Sequence, residues 1–172
     1  MNKLTTILLL TGALALSACN NPDRYGANGA NGAAGAGGIS AGALGDPSDP
    51  NSPAYFNQTI GDRVLFAVDQ STLSPAAQQT LAQQAGWLNQ HPNYTAIIEG
   101  HADEQGTREY NLALGARRAA AVQAYLVAQG VASNRLQTVS YGKERPLAVC
   151  SDEACYSQNR RAVTVIGAGA GV

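Results

Sequence analysis

From residue 62 onward, apolar and polar positions alternate between two periods. DRVLFAV (62–68) is a short apolar run of strand type. Ser74-Pro75 then reads as an N-cap followed by proline at the first helical position. The predicted helix continues to about Gln90, with Leu81, Ala85 and Leu88 on one face and glutamines opposite, until His91-Pro92-Asn93 stops it. YTAIIEG (94–100) is a second strand, with Ile97 and Ile98 on opposite sides. A second helix is predicted from about Arg108 to Gln129, closed by Gly130, with Leu114, Ala121, Val122, Tyr125 and Leu126 on its buried side. RLQTVSYG (135–142) is a third strand and, after a long loop, RRAVTVIG (160–167) a fourth. The order β-α-β-α-β-loop-β implies an α/β two-layer sandwich with helices packed on a four-stranded sheet. Helical crossovers permit parallel pairing, but the pattern does not fix the strand order.

Upstream, the pattern disappears. Residues 20–57 have no apolar period: YGANGANGAAGAGGISAGALG is mostly glycine, alanine and asparagine, and DPSDPNSP follows. Such a segment buries too little to offset its ordering entropy and reads as a tether. A flexible chain of this length reaches roughly 30–35 Å on average. The folded domain is therefore expected over 58–167, with a short tail over 168–172.

The first residues differ again. Lys3 precedes TTILLLTGALAL, an apolar run too short for a permanent span, which ends in Leu16-Ser17-Ala18-Cys19. This is the form of a secretory signal over 1–18. LSAC also resembles the lipobox of bacterial lipoproteins, which implies acylation of Cys19. Multiple acyl chains hold a protein firmly where one does not. Asn20 in place of aspartate favours the outer membrane under the enteric sorting rule.

Composition narrows the chemistry. Only 13% of residues are charged, and 11 basic residues stand against 12 acidic. That balance lacks the basic stripe of a nucleic-acid binder. With Cys19 lipidated, Cys150 and Cys155 remain as an even pair in an oxidising compartment, read as a short-loop disulfide that pins the chain locally. The chain has two histidines, neither near these cysteines in sequence, which argues against a metal pair.

Charge concentrates in EGHADEQGTREYNLALGARRAAAV (99–122). Asp103 and Glu104 follow the second strand, and Asn111, Leu114 and Arg118 share one face of the next helix. Arg118 can look back toward Asp103 across a crevice beyond a strand end, where open α/β sheets often bind ligands. A carboxylate and a guanidinium there suit a zwitterion. The same spacing also suits a surface ion pair worth about 0–1 kcal/mol. A metal site from His101, Asp103 and Glu104 lacks the second spaced histidine of the helical zinc pattern, and His101 reads as a satisfied strand-end residue. Asp103 and Glu104 as an acid–base pair lack an accompanying nucleophile or metal, and adjacent side chains usually point apart.

That stretch, together with VSYGKERP and YSQNRRAV, resembles the OmpA-like peptidoglycan-binding domain, over about Gly61 to Ile166. The resemblance implies a non-enzymatic wall binder with a mixed sheet and no cofactor. It implies that Asp103 and Arg118 contact the diaminopimelate of a peptidoglycan stem peptide, with Asn111 supporting the loop and Leu114 forming an apolar wall. It also places Asp69, with the backbone amides after it, at the ligand, and Arg161, rather than its neighbour Arg160, near the site. Lipid-anchored members imply further partners, TolB and the other Tol proteins, and roles in envelope integrity and cell division. Two other readings share these residues: a relative that binds wall without TolB, and a peptidoglycan hydrolase working through the acidic loop at Asp103 and Glu104, for which no nucleophile or metal set is present in the sequence. Two departures stand out: Val68 precedes Asp69 where an aromatic ring is usual, and Gln105 stands where arginine is common.

Overall fold

The computed structural model describes residues 44–168; Cys19, the signal segment and most of the tether lie outside them. Its elements are a short helix α1 (Pro53–Tyr55) continuing as a π-helical stretch (Phe56–Gly61), β1 (Arg63–Leu65), α2 (Pro75–Gln90), β2 (Tyr94–His101), α3 (Arg108–Ala128), β3 (Leu136–Gly142), α4 (Glu153–Asn159) and β4 (Arg161–Ala168). The sheet order is β1-β4-β2-β3. β4 runs antiparallel to both β1 and β2, while β2 and β3 are parallel. The predicted α/β sandwich with a mixed four-stranded sheet is therefore the observed one.

Helices cover one face of the sheet. Val64, Ala96, Ile98, Ala162 and Ile166 point into a core shared with Leu81, Leu88, Val122 and Leu126. On the other face, Leu65 and Ile97 remain exposed. Pairing of β2 with β3 through α3 is the helical crossover that a parallel pair requires. α3 lies unusually close to β2: a Cβ built on Gly100 would sit 1.8 Å from the carbonyl oxygen of Gly115. Two glycines meeting backbone to backbone hold the first half of α3 against the strand that leads into the Asp103 loop.

Several expectations are corrected. Packing begins before residue 58: Ser52, Ala54 and Phe56 are buried, and the Trp87 indole donates to the Pro50 carbonyl (2.8 Å). Ser52 caps α1 and Pro53 opens it, the same Ser-Pro device that starts α2. Gln84 does not face solvent with the other glutamines of α2. It is buried, donates to the Gly61 carbonyl (2.6 Å) and accepts from the Thr164 hydroxyl (2.8 Å), which satisfies both ends of its amide. Ala121 and Tyr125 are half-buried, while Ala119 and Arg118 lie deeper.

The long loop before β4 contains α4. Asp152 caps it by accepting from the Cys155 N–H (3.2 Å). Cys150 and Cys155 form a disulfide, with Cα atoms 5.7 Å apart. So short a closed loop has little entropy to remove, so reduction is expected to lower stability by no more than about 2 kcal/mol. Urea unfolding with and without reductant measures this, and a larger loss would mean that the disulfide holds more than its own turn.

Candidate functional site

The Asp103 loop is built by backbone chemistry. Thr107 caps α3 by accepting from the Tyr110 N–H (3.2 Å). The Asn111 side chain donates to the Gln105 carbonyl (2.8 Å), and Lys143 donates to the Gly106 carbonyl (2.7 Å). The loop is therefore held from inside by α3 and from outside by the chain after β3. Asp103 and Glu104 point apart, as expected of neighbours. Asp103 is buried, whereas Glu104 is exposed and accepts from the Ser151 hydroxyl (3.3 Å).

A pocket of about 210 Å³ opens here, bordered by Val68, Asp69, Asp103, Tyr110, Asn111 and Leu114, with Gln105 and Gly106 on the loop side. Its walls are aliphatic and aromatic, and two carboxylates reach it. Four of the predicted residues, Asp69, Asp103, Asn111 and Leu114, are thus brought together. Asp69 has φ +55°, the only non-glycine residue with positive φ among those described. A left-handed conformation is tolerated by aspartate, and such outliers collect where function requires them. Tyr110, which the residue pattern did not single out, donates its hydroxyl to Asp69, and that bond raises the phenol's pKa. Its one sequence signal is the spacing of four to Leu114 on the same helical face.

Both arginine expectations change. Arg118 is wholly buried and does not border the crevice as an open fork. Its Nε donates to the Gln70 carbonyl (2.8 Å), Nη1 to that of His101 (2.8 Å) and Nη2 to that of Ala67 (3.1 Å), and the guanidinium lies 5.2 Å from the Phe66 ring centroid. Burial lowers its pKa to about 10, against the opposing influence of Asp103, and it stays charged at neutral pH. Arg118 therefore ties the 67–70 turn and the end of β2 to α3, and its charge lies close to Asp103 and Asp69.

The partner of Asp103 is Arg160, at 3.1 Å between Nη1 and Oδ2. Arg160 also donates to the Phe66 carbonyl (3.3 Å) and to Glu153 at the start of α4. Glu153 raises the Arg160 pKa and is itself lowered by that bond. Arg161 does not join this cluster. It is buried elsewhere, donating to the carbonyls of Arg145 (3.2 Å) and Asn159 (3.4 Å). Consecutive residues entering a strand point to opposite faces, so only one of the two arginines can reach Asp103.

His101 is not the satisfied residue expected. It is buried, its Nδ1 has no hydrogen-bond partner, and Nε2 lies 3.4 Å from Glu99. Burial, reinforced by the nearby Arg161 and Arg145 charges, pushes its pKa down to about 4. The unfolded chain, with an ordinary value of 6.5, binds the proton more readily. Stability from this residue is therefore complete above pH 6.5 and is lost as pH falls toward 4, by at most about 3 kcal/mol. Urea midpoints measured across that range should fall, and His101→Asn should flatten the fall. A slope that His101→Asn leaves unchanged would assign it to other groups.

The site is thus a strand-end pocket on a mixed β1-β4-β2-β3 sheet, with its Asp103 loop clamped to the following helix. The OmpA family profile matches residues 65–161, and the chain belongs to that family. Among its relatives are proteins named peptidoglycan-associated lipoprotein. The one from Mesorhizobium japonicum is 64% identical over 66% of this chain and 68% of its own length. The one from Pasteurella multocida is 40% identical over 95% of this chain and 98% of its own length. The crystal structure of the peptidoglycan-associated lipoprotein from Burkholderia pseudomallei superposes with a TM-score of 0.63 at 43% identity, covering 71% of this chain and all of that one. The C-terminal domain of Helicobacter pylori MotB shares the fold alone, with a TM-score of 0.59 at 22% identity.

Proposed function

We propose that this chain is a non-enzymatic lipoprotein of the outer membrane whose folded domain, facing the periplasm, grips peptidoglycan without a covalent bond. The ligand is the diaminopimelate of the stem peptide, taken into the Asp69–Asp103 pocket. The carrying observation is the pocket itself: a small crevice with apolar walls and two carboxylates, one of them buried against Arg160. The ammonium of diaminopimelate suits those carboxylates, and its methylene chain suits Val68, Leu114 and the Tyr110 ring. Its carboxylate meets the positive potential of Arg118 and Arg160 close by. With Val68 in place of an aromatic ring, the wall on that side is aliphatic and half-open.

Names of the relatives support the wall as the binding target. Charge-assisted bonds contribute roughly 1.5–3 kcal/mol each, so one domain holds modestly. Many lipid-anchored copies facing a repetitive lattice hold by avidity. Cys19 supplies that anchor, and no helix among the described residues is long and apolar enough to cross a membrane. TolB and the inner-membrane Tol proteins complete the assembly, with roles in envelope integrity and cell division.

Co-sedimentation of the detergent-solubilised full chain with purified sacculi tests the wall claim. The wild type should pellet with sacculi, and Tyr110→Phe, which removes only the hydroxyl that holds Asp69, should pellet several-fold less. Equal pelleting of the variant would remove the Asp69–Tyr110 contact from the account. A wild type left in solution would sink wall binding itself.

A further inference from the structure

A larger cavity, about 470 Å³, shares no residue with the Asp103 pocket. It opens between the 50–61 segment and α2, within the roughly 300–1,000 Å³ range of small-molecule sites. Three observations set it apart from a packing flaw.

Gly86 lies in the interior of α2 and borders the cavity, and a Cβ built there would meet nothing within 4 Å. No close approach demands glycine, and alanine is the better helix former. The helix gives up stability and the space above Gly86 stays open. Secondly, none of the residues around the cavity is Asp, Glu, Lys or Arg. Exposed Gln83 and Gln90 supply amides that both donate and accept. Thirdly, its aromatic wall is preorganised. The half-buried His91 ring stacks on Trp87 at 4.1 Å between centroids, with its Nδ1 2.7 Å from the Trp87 carbonyl, and Trp87, buried behind it with only 5% of its surface exposed, is anchored to the Pro50 carbonyl. The facing segment is π-helical, a rare geometry that recurs at functional sites.

An uncharged cleft with free amides and a rigid ring wall fits a ligand rich in hydroxyl and acetamido groups. We propose that this cavity is a second subsite, for a neutral N-acetylated sugar ring of the kind that forms the glycan strands of the wall. The choice of sugar rests on the wall-binding reading. Glycan and stem peptide are covalently joined, so two weak subsites would act together through effective concentration.

The test is an amide and indole NMR titration of the full chain in detergent with two separate probes. These are tri-N-acetylchitotriose, which has no peptide, and a diaminopimelate-containing tripeptide, which has no sugar. The sugar is expected to shift Gly86, Gln83 and the Trp87 indole saturably, leaving Tyr110 and Asp103 unmoved. Gly86→Leu fills the space and should weaken sugar binding at least tenfold, with an unchanged or higher unfolding midpoint and unchanged tripeptide shifts. The double variant Gln83→Ala/Gln90→Ala should lose sugar binding in the same way without altering the helix interior. Absence of saturable sugar shifts, unchanged sugar binding in both variants, or movement of Gly86 by the tripeptide and not the sugar would each overturn the subsite. Sugar shifts at Gly86 with no tripeptide shifts anywhere would support the subsite while sinking the stem-peptide reading.

Discussion

Replacing Arg118 with alanine is expected to destabilise the domain by about 3–5 kcal/mol, a large share of the 5–15 kcal/mol that holds a domain of this size together. The side chain is wholly buried, and three backbone carbonyls from two separate segments depend on it. Its removal strands the carbonyls of Ala67, Gln70 and His101, each costing about 1–3 kcal/mol if left unpaired. It also opens a cavity beside Phe66. Lysine should recover little, because one ammonium cannot reproduce a planar fork addressed to three acceptors. Urea unfolding of the two variants measures this directly. A loss below about 1 kcal/mol in Arg118→Ala would mean that water replaces the guanidinium cheaply, leaving Arg118 free for a ligand. Loss of wall binding in this variant therefore carries meaning only beside a measurement of its fold.

Gly100→Ala is the second large effect. The new methyl would lie 1.8 Å from the Gly115 carbonyl oxygen and 2.6 Å from its carbon, backbone atoms that move only if α3 moves. Overpacking of this kind costs about 1–3 kcal/mol or more, and this clash belongs at the upper end. Gly115→Ala makes the complementary test. Helix propensity alone favours alanine there by about 1 kcal/mol. Contact at 2.7 Å with the Gly100 carbonyl oxygen opposes it, as does the Ser140 hydroxyl at 2.4 Å. Net destabilisation by Gly115→Ala is expected in thermal unfolding, and stabilisation would show that α3 has room to lift from β2. Since α3 carries Asn111, Leu114 and Arg118, either substitution should also disturb the pocket.

Long periodic elements were legible without coordinates because their apolar spacing follows directly from burial on one face. α2, α3 and the three longer strands fall within a few residues of expectation. α4 was not legible: its seven residues, EACYSQN, carry no apolar stripe, and a cap is its main signal. The helix at Pro53 was hidden by a proline-rich composition that reads as linker, although its Ser-Pro cap matches that of α2.

At the site, helical spacing correctly grouped Asn111, Leu114 and Arg118 on one face. Spacing assigns a face but says nothing of depth, so the complete burial of Arg118 could not be read from it. Which of two consecutive arginines meets Asp103 depends on how the chain turns from α4 into β4. The bond between Tyr110 and Asp69 joins residues 41 apart in sequence, a contact that only the folded sheet creates.

The central claim is that the Asp103 pocket takes the diaminopimelate end of a stem peptide. Calorimetric titration of the full chain in detergent with a diaminopimelate-containing tripeptide, wild type beside Asp103→Asn, tests it most directly. Asparagine keeps the shape and can still accept from Arg160, so the fold is expected to survive, as urea unfolding would verify. Saturable binding by the wild type, weakened at least tenfold in Asp103→Asn, is the expected result; equal binding by both proteins, or none by a folded wild type, would contradict it.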